Sequence, residues 1–191
     1  MGKGKIVGEK IKALRESKSI TIQDLAKQAD LSEEQLVVIE QDGVMPSLAP
    51  LIKIARVLGV RLGTFLDDDD SIGPVVCRKD KSEAGISFSN GSTSARKHMN
   101  YFSLAGAKSG RHMEPFIINI AACQEKDFIL SSHEGEEFIY VLEGSIEINY
   151  GKDNFVLEEG DSIFYDSIVE HHVHGDCLKG AKILAVVYSP L

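Results

Sequence analysis

The chain has 191 residues, 43% apolar and 26% charged, which allows two compact units, each able to bury a core. No stretch approaches the roughly 18 consecutive apolar residues of a membrane span, and the start, MGKGKIVGEK, lacks the apolar core of a secretion signal, so no membrane association and a cytoplasmic location are expected. Cys77, Cys123 and Cys177 are odd in number, widely spaced and without a CxxC pair, which argues against a disulfide framework or a zinc knuckle and predicts three buried thiols.

The net charge of −8 is unevenly spread. Residues 1–66 hold 10 Lys/Arg against 8 Asp/Glu, whereas residues 67–191 hold 11 against 21. Two units with different partners are implied.

From Ile6 to Leu66 apolar residues recur at helical spacing. Val7, Ile11 and Leu14 form one stripe; Ile22, Leu25 and Ala26 a second; Leu36, Ile39 and Val37 or Val38 a third; Leu51, Ile52, Ala55 and Leu58 a fourth. Thr21 caps the second helix with Asp24 three residues on, Ser32 and Gln35 stand in capping-box register before the third, and Ser47 opens the fourth. Gly43 and Pro46 end the third helix and Gly59 the fourth, leaving a fifth at about 61–66.

The stretch TIQDLAKQADLSEEQLVVIE carries the pattern T-x-x-x-L-A-x-x-x-x-(L/V)-S-x-x-x-(L/V)-x-x-(I/W)-E through Thr21, Leu25, Ala26, Leu31, Ser32, Leu36, Ile39 and Glu40. It resembles the lambda-repressor or Xre-type helix-turn-helix domain. The resemblance implies a five-helix, all-α unit whose third helix enters the major groove of a double-stranded DNA operator. It also implies DNA contacts from Thr21, Ser32, Glu33, Gln35 and the exposed one of Val37 and Val38, taken as Val37. Gln35 suits a bidentate contact with adenine, and Lys10, Lys12, Lys18 and Lys27 suit phosphates. The third helix departs from a basic reader in carrying Glu33 and Glu34 and no Lys or Arg; acidic groups there also suit the helix dipole.

Four aspartates at 67–70, then a polar, Gly/Ser-rich run, mark residues 67–97 as a linker between units at 1–66 and 98–191. Beyond residue 98 the apolar pattern changes to period two and to short runs such as PFIINIAA, FIYVLEG and AKILAVVYS. These predict antiparallel strands in a sandwich or small barrel, with hairpins turning at Gly144–Ser145 and near Gly151.

Two stretches make this unit specific. HEGEEFIYVLEG, with His133, Glu137 and Gly144, and EEGDSIFYDSIVEHH, with Gly160 and His171, resemble the two cupin motifs, which imply an all-β jelly-roll barrel. The family's first histidine falls on Ser131, its second-motif proline on Asp166 and its internal glycine on Ile168. On a straight strand His133 and Glu137 would stand about 13 Å apart, and Gly135 supplies a turn that brings them together. The resemblance implies that His133, Glu137 and His171 hold a divalent metal, whether iron, zinc, manganese or nickel, in the two-imidazole, one-carboxylate set of non-haem Fe(II) oxygenases. Alternatively His172 and His174, on one face of the same segment, are the pair that matters.

Helix-turn-helix followed by cupin is the layout of a family of bacterial transcriptional regulators. That layout implies a small-molecule effector in the barrel and a homodimer or higher homo-oligomer on DNA. The chain also resembles the hydroxypropylphosphonic acid epoxidases in layout and ligand pattern, which leaves open a mononuclear iron-dependent oxygenase acting on a small anionic substrate. In that comparison Tyr101 falls near a substrate tyrosine, the helical domain's lysine falls about on Ser19 with Lys18 adjacent, and Ser131 marks either a site opened for substrate or a ligand lost in a sensor. Arg96, Lys97, Lys108 and Arg111 are the candidate anion-binding cations.

Overall fold

Five helices fill the first third: α1 (Lys3–Ser17), α2 (Ile22–Gln28), α3 (Glu33–Gln41), α4 (Leu48–Leu58) and α5 (Leu62–Leu66). The structure, a computed structural model, describes residues 3–41, 45–66, 74–79, 86–87, 99–108, 110–122, 130–175 and 179–190. The helix starts follow from local chemistry. Thr21 is extended and its Oγ1 accepts from the Asp24 amide at 3.0 Å. Ser32 and Gln35 form a reciprocal capping box: the Gln35 amide donates to Ser32 Oγ at 3.2 Å and the Ser32 amide to Gln35 Oε1 at 2.9 Å. Gly59, left-handed at φ 62°, ends α4.

The predicted stripes meet in one core, in which Ile11, Leu25, Leu36, Leu51, Ile54 and Leu58 are fully buried. Each contributes about 1.5–3 kcal/mol by leaving water. Beneath the core surface the Arg15 guanidinium of α1 grips the Glu40 carboxylate of α3 through two bonds, Nε to Oε1 at 2.7 Å and Nη2 to Oε2 at 2.8 Å. Among the described residues no helix is long and apolar enough to cross a membrane.

Among the described residues eight antiparallel strands follow: β1 (Ile86–Ser87), β2 (Met99–Ser103), β3 (Met113–Ile120), β4 (Glu136–Tyr150), β5 (Asp153–Glu158), β6 (Ser162–Asp166), β7 (His171–Gly175) and β8 (Ala181–Tyr188). β1 lies inside the stretch read as linker and pairs with β2. One sheet runs β1-β2-β3-β8-β4-β6; the far half of β4 leaves it to pair with β5 and β7. The predicted hairpin near Gly151 forms, joining β4 to β5 with Tyr150 opposite Asp153.

The hairpin expected at Gly144–Ser145 does not form. β4 runs straight through these residues, with a register shift between Val141 and Glu143 and Gly144 at φ 79°. A side chain at 144 would run into the Gly180 carbonyl, so this glycine permits a bend between two sheets rather than a reversal. The thiol prediction also fails at Cys77, which is exposed because its segment, 74–79, lies outside both cores. Cys123, Cys177 and the acidic run at 67–70 lie outside the described residues.

Inward-facing Phe116, Ile139, Val141, Ile146, Ile148 and Ile183 form the barrel core. The two cores touch: Leu48, Leu66 and Tyr101 pack against both, and Val187 of β8 is buried within the helical cluster. An exposed ion pair, Arg56 to Glu134 at 2.8 Å, crosses the same junction and adds little by itself.

Candidate functional site

The loop before β4 is built to bend. Gly135 sits at φ 109°, and a side chain there would meet the Tyr188 carbonyl. The bend is fixed by two backbone bonds: the Ser167 amide donates to the Gly135 carbonyl and the His133 amide to the Ser167 carbonyl, both at 2.9 Å. His133 and Glu137 are thereby folded onto each other, with Nε2 to Oε1 at 2.8 Å. Replacing Gly135 with alanine is expected to lower stability by roughly 2 kcal/mol or more, from the unfavourable φ and the collision together. Urea unfolding checks this.

His171 opens β7, and its backbone bridges to Ser131 in both directions, at 3.1 and 3.0 Å. Its Nε2 lies 3.4 Å from Glu137 Oε1, and its ring meets that of His133 edge-on at 5.4 Å. The three ligand atoms of His133, Glu137 and His171 lie within 4.8 Å of one another. His172, buried and also lining the cavity, and His174 instead stack on each other at 5.7 Å, and the triad does not include them.

The surroundings orient this donor set outward from both imidazoles. His133 Nδ1 bonds the Glu134 carbonyl at 3.0 Å and His171 Nδ1 bonds the Val169 carbonyl at 2.8 Å. With each Nδ1 braced on a backbone carbonyl, each Nε2 is turned toward Glu137 and the centre, the position of a metal-binding nitrogen. The Tyr165 hydroxyl donates to Glu137 Oε2 at 2.7 Å, and Ser167 Oγ reaches Oε1 at 3.4 Å. Burial pushes the Glu137 carboxyl up, but bonds and charge from His133 and His171 outweigh it and hold the group well below the usual carboxylate range. Burial, then the Glu137 charge, holds the Tyr165 phenol well above its ordinary value, so it stays a donor.

These residues fit a divalent transition metal: two braced imidazoles and one ionised carboxylate converge on a buried point. Such an ion supplies Lewis acidity and open coordination positions when bound.

The cavity beside the triad has a volume of about 90 Å³. Aliphatic side chains of β3, β4 and β8 form one wall of it, Tyr101 and Ser131 also line it, and Ser47, Leu48 and Ala49, at the cap and first turn of α4, close one side. No Lys or Arg is among the described lining residues. Ser19 sits in the turn after α1, away from this lining. Arg111 is buried against Glu114 at 2.7 Å, the Lys108 carbonyl accepts from it, and Arg96 and Lys97 lie outside the described residues.

On the helical unit Thr21, Ser32, Glu33 and Gln35 are exposed. The exposed valine is Val38, while Val37 is half-buried against the unit. Gln35 Oε1 is engaged in the capping box, so reading an adenine through both amide atoms competes with the cap. Lys18 and Lys27 are exposed, whereas Lys10 is half-buried and reaches the Phe65 carbonyl.

Tyr165, Ser167 and the α4 wall are absent from the sequence-based site. Tyr165 was legible in principle, since the SIFYD alternation puts it on the inward face opposite Glu137. The epoxidase resemblance implied a helical contact at Ser19, whereas the helical residues that line the cavity are Ser47, Leu48 and Ala49, which no sequence motif marked.

Comparison with known proteins agrees with this architecture. Residues 11–65 match the helix-turn-helix family and residues 124–187 the cupin domain family. The immunity repressor protein of Bacillus phage phi105 is 36% identical over 66 residues, covering 35% of this chain and 46% of the repressor; the chain thus spans about half the length of that relative. An HTH_3 family transcriptional regulator from Vibrio cholerae has the same overall fold, with a TM-score of 0.69 at 22% identity over 100% of this chain and 98% of the other. Hydroxypropylphosphonic acid epoxidase from S. wedmorenis shares it more loosely, with a TM-score of 0.50 at 24% identity over 97% and 98%. In domain content, this chain joins an Xre-type helix-turn-helix unit to a cupin jelly-roll domain.

Proposed function

We propose that this protein is a DNA-binding transcriptional regulator whose cupin cavity takes up a small-molecule effector, with a divalent metal held by His133, Glu137 and His171. The observation that carries the reading is the α4 wall: Ser47, Leu48 and Ala49 line the cavity beside the triad. An effector there touches both units. Differential contact with two arrangements of the helical unit is what effector-dependent DNA binding requires. The protein then acts in the cytoplasm as a homodimer or higher homo-oligomer, its α3 helices meeting half-sites one helical turn, or a multiple, apart.

Binding to labelled DNA from upstream of its own gene, followed by anisotropy across a salt series, tests the reading. A steep fall of affinity with salt is expected. Gln35→Ala removes both the cap and the amide, so Gln35→Glu is the sharper variant: it keeps a cap acceptor and deletes the donor to adenine. Loss of about tenfold or more in specific affinity is expected from it, one good base contact's worth.

A metal-dependent oxygenase is the second reading, favoured by the two-histidine, one-carboxylate set. The lack of Lys or Arg among the described lining weighs against an anionic substrate. No binding to any DNA, with stoichiometric iron that Glu137→Ala abolishes, would turn the assignment to the enzyme.

A further inference from the structure

The alternation that points Glu137, Ile139 and Tyr165 inward points their neighbours outward. Strand register then aligns Pro115, Val186, Phe138 and Phe164 in one row across β3, β8, β4 and β6. The next rows add Tyr188 beside Met113 on one side, and Phe102, Ile117, Leu184 and Tyr140 on the other. Phe164 is 63% exposed and Met113 61%, large apolar groups that a finished surface seldom presents together.

We infer that this outer sheet face is where a second copy of the chain docks, sheet against sheet. Five strands about 4.8 Å apart and six residue steps of about 3.4 Å make a face of roughly 24 by 20 Å. Two such faces bury about 1,000 Å², the floor for a specific interface. A two-fold axis makes the contact self-complementary. The acidic residues also set the axis. Glu136 and Asp166 are register partners at one end of the face, and Lys182 stands toward the other, beside Glu143. An axis across the strands keeps the two acidic ends apart and lays each over the other copy's internally neutral Glu143–Lys182 pair, whereas an axis along them would stack like charges. The face lies on the back of the sheet that carries Glu137, so docking leaves the cavity open.

Sedimentation velocity on the full chain gives the test. The wild type is expected near 42 kDa, twice the 20.9 kDa chain. Tyr140→Glu and Phe164→Glu, both at exposed positions, should raise the dissociation constant at least about 30-fold, a hot-spot loss, with metal content and circular dichroism unchanged. Val38→Glu, at an exposed position on α3 of the helical unit, should leave the dimer intact. Lys182→Glu should weaken association and Asp166→Lys should restore it in the double variant. A monomeric wild type, or dimers that tolerate both face variants, overturns the proposal.

Discussion

Glutamine in place of Glu137 is expected to weaken divalent-metal binding at least 100-fold, roughly, with little change in fold. The carboxylate is the anionic ligand of the triad, ionised despite burial because bonds and charge from His133 and His171 hold it so. Losing an outer-shell partner already costs about 10–100-fold in metal affinity, so a direct anionic ligand should reach the upper end of that range. Chelator-competition titration with zinc or iron(II), backed by elemental analysis, measures the loss. Stoichiometric metal retained at wild-type affinity would place the ion elsewhere, with His172 and His174 the next residues to replace.

The second large effect belongs to the helical unit. Arg15→Ala should destabilise it by about 3–5 kcal/mol, the usual consequence of breaking a buried pair from one side. The Glu40 side chain is 1% exposed, and without the guanidinium its charge has neither water nor an equivalent partner. Arg15 also donates to the Ile20 carbonyl at 3.0 Å, so the turn into α2 loses a clasp at the same time. Since single domains are stable by only about 5–15 kcal/mol in total, such a loss should be visible as an early transition in thermal melts followed at 222 nm. Replacing both residues with apolar ones of similar size should recover much of the stability, because the pair matters chiefly by not being half-broken. A shift below about 1 kcal/mol in the single variant would contradict the burial of this pair.

The parts legible in the sequence are those governed by short-range chemistry. Thr21, Ser32 and Gln35 act within four residues, and the caps form as their spacing implies. Gly135 was readable as the bend between His133 and Glu137 because a strand's rise forbids their meeting otherwise. Gly144 looked the same and is not. Whether a glycine reverses a strand or lets it change sheets depends on Gly180, 36 positions away, and on β5 and β7 waiting to pair with the continuation. Gln35 shows a second limit: the residue type suits both a base contact and a cap, and only the bond to Ser32 reveals which one it makes in the free protein. Val38 rather than Val37 faces solvent for a comparable reason, since a helix stripe leaves the phase of adjacent valines open until its packing partner is known.

The α4 wall has a consequence for how such a protein can diversify. Had the two units met only through the Arg56–Glu134 pair, either could be exchanged as a module. With Ser47, Leu48 and Ala49 in the cavity wall, a helical unit grafted from another chain brings its own piece of the binding pocket. On the proposed function, chimeras should therefore inherit effector selectivity from both parents. On that reading drift at these three positions is constrained twice over, once by what the cavity holds and once by how α4 seats on the barrel.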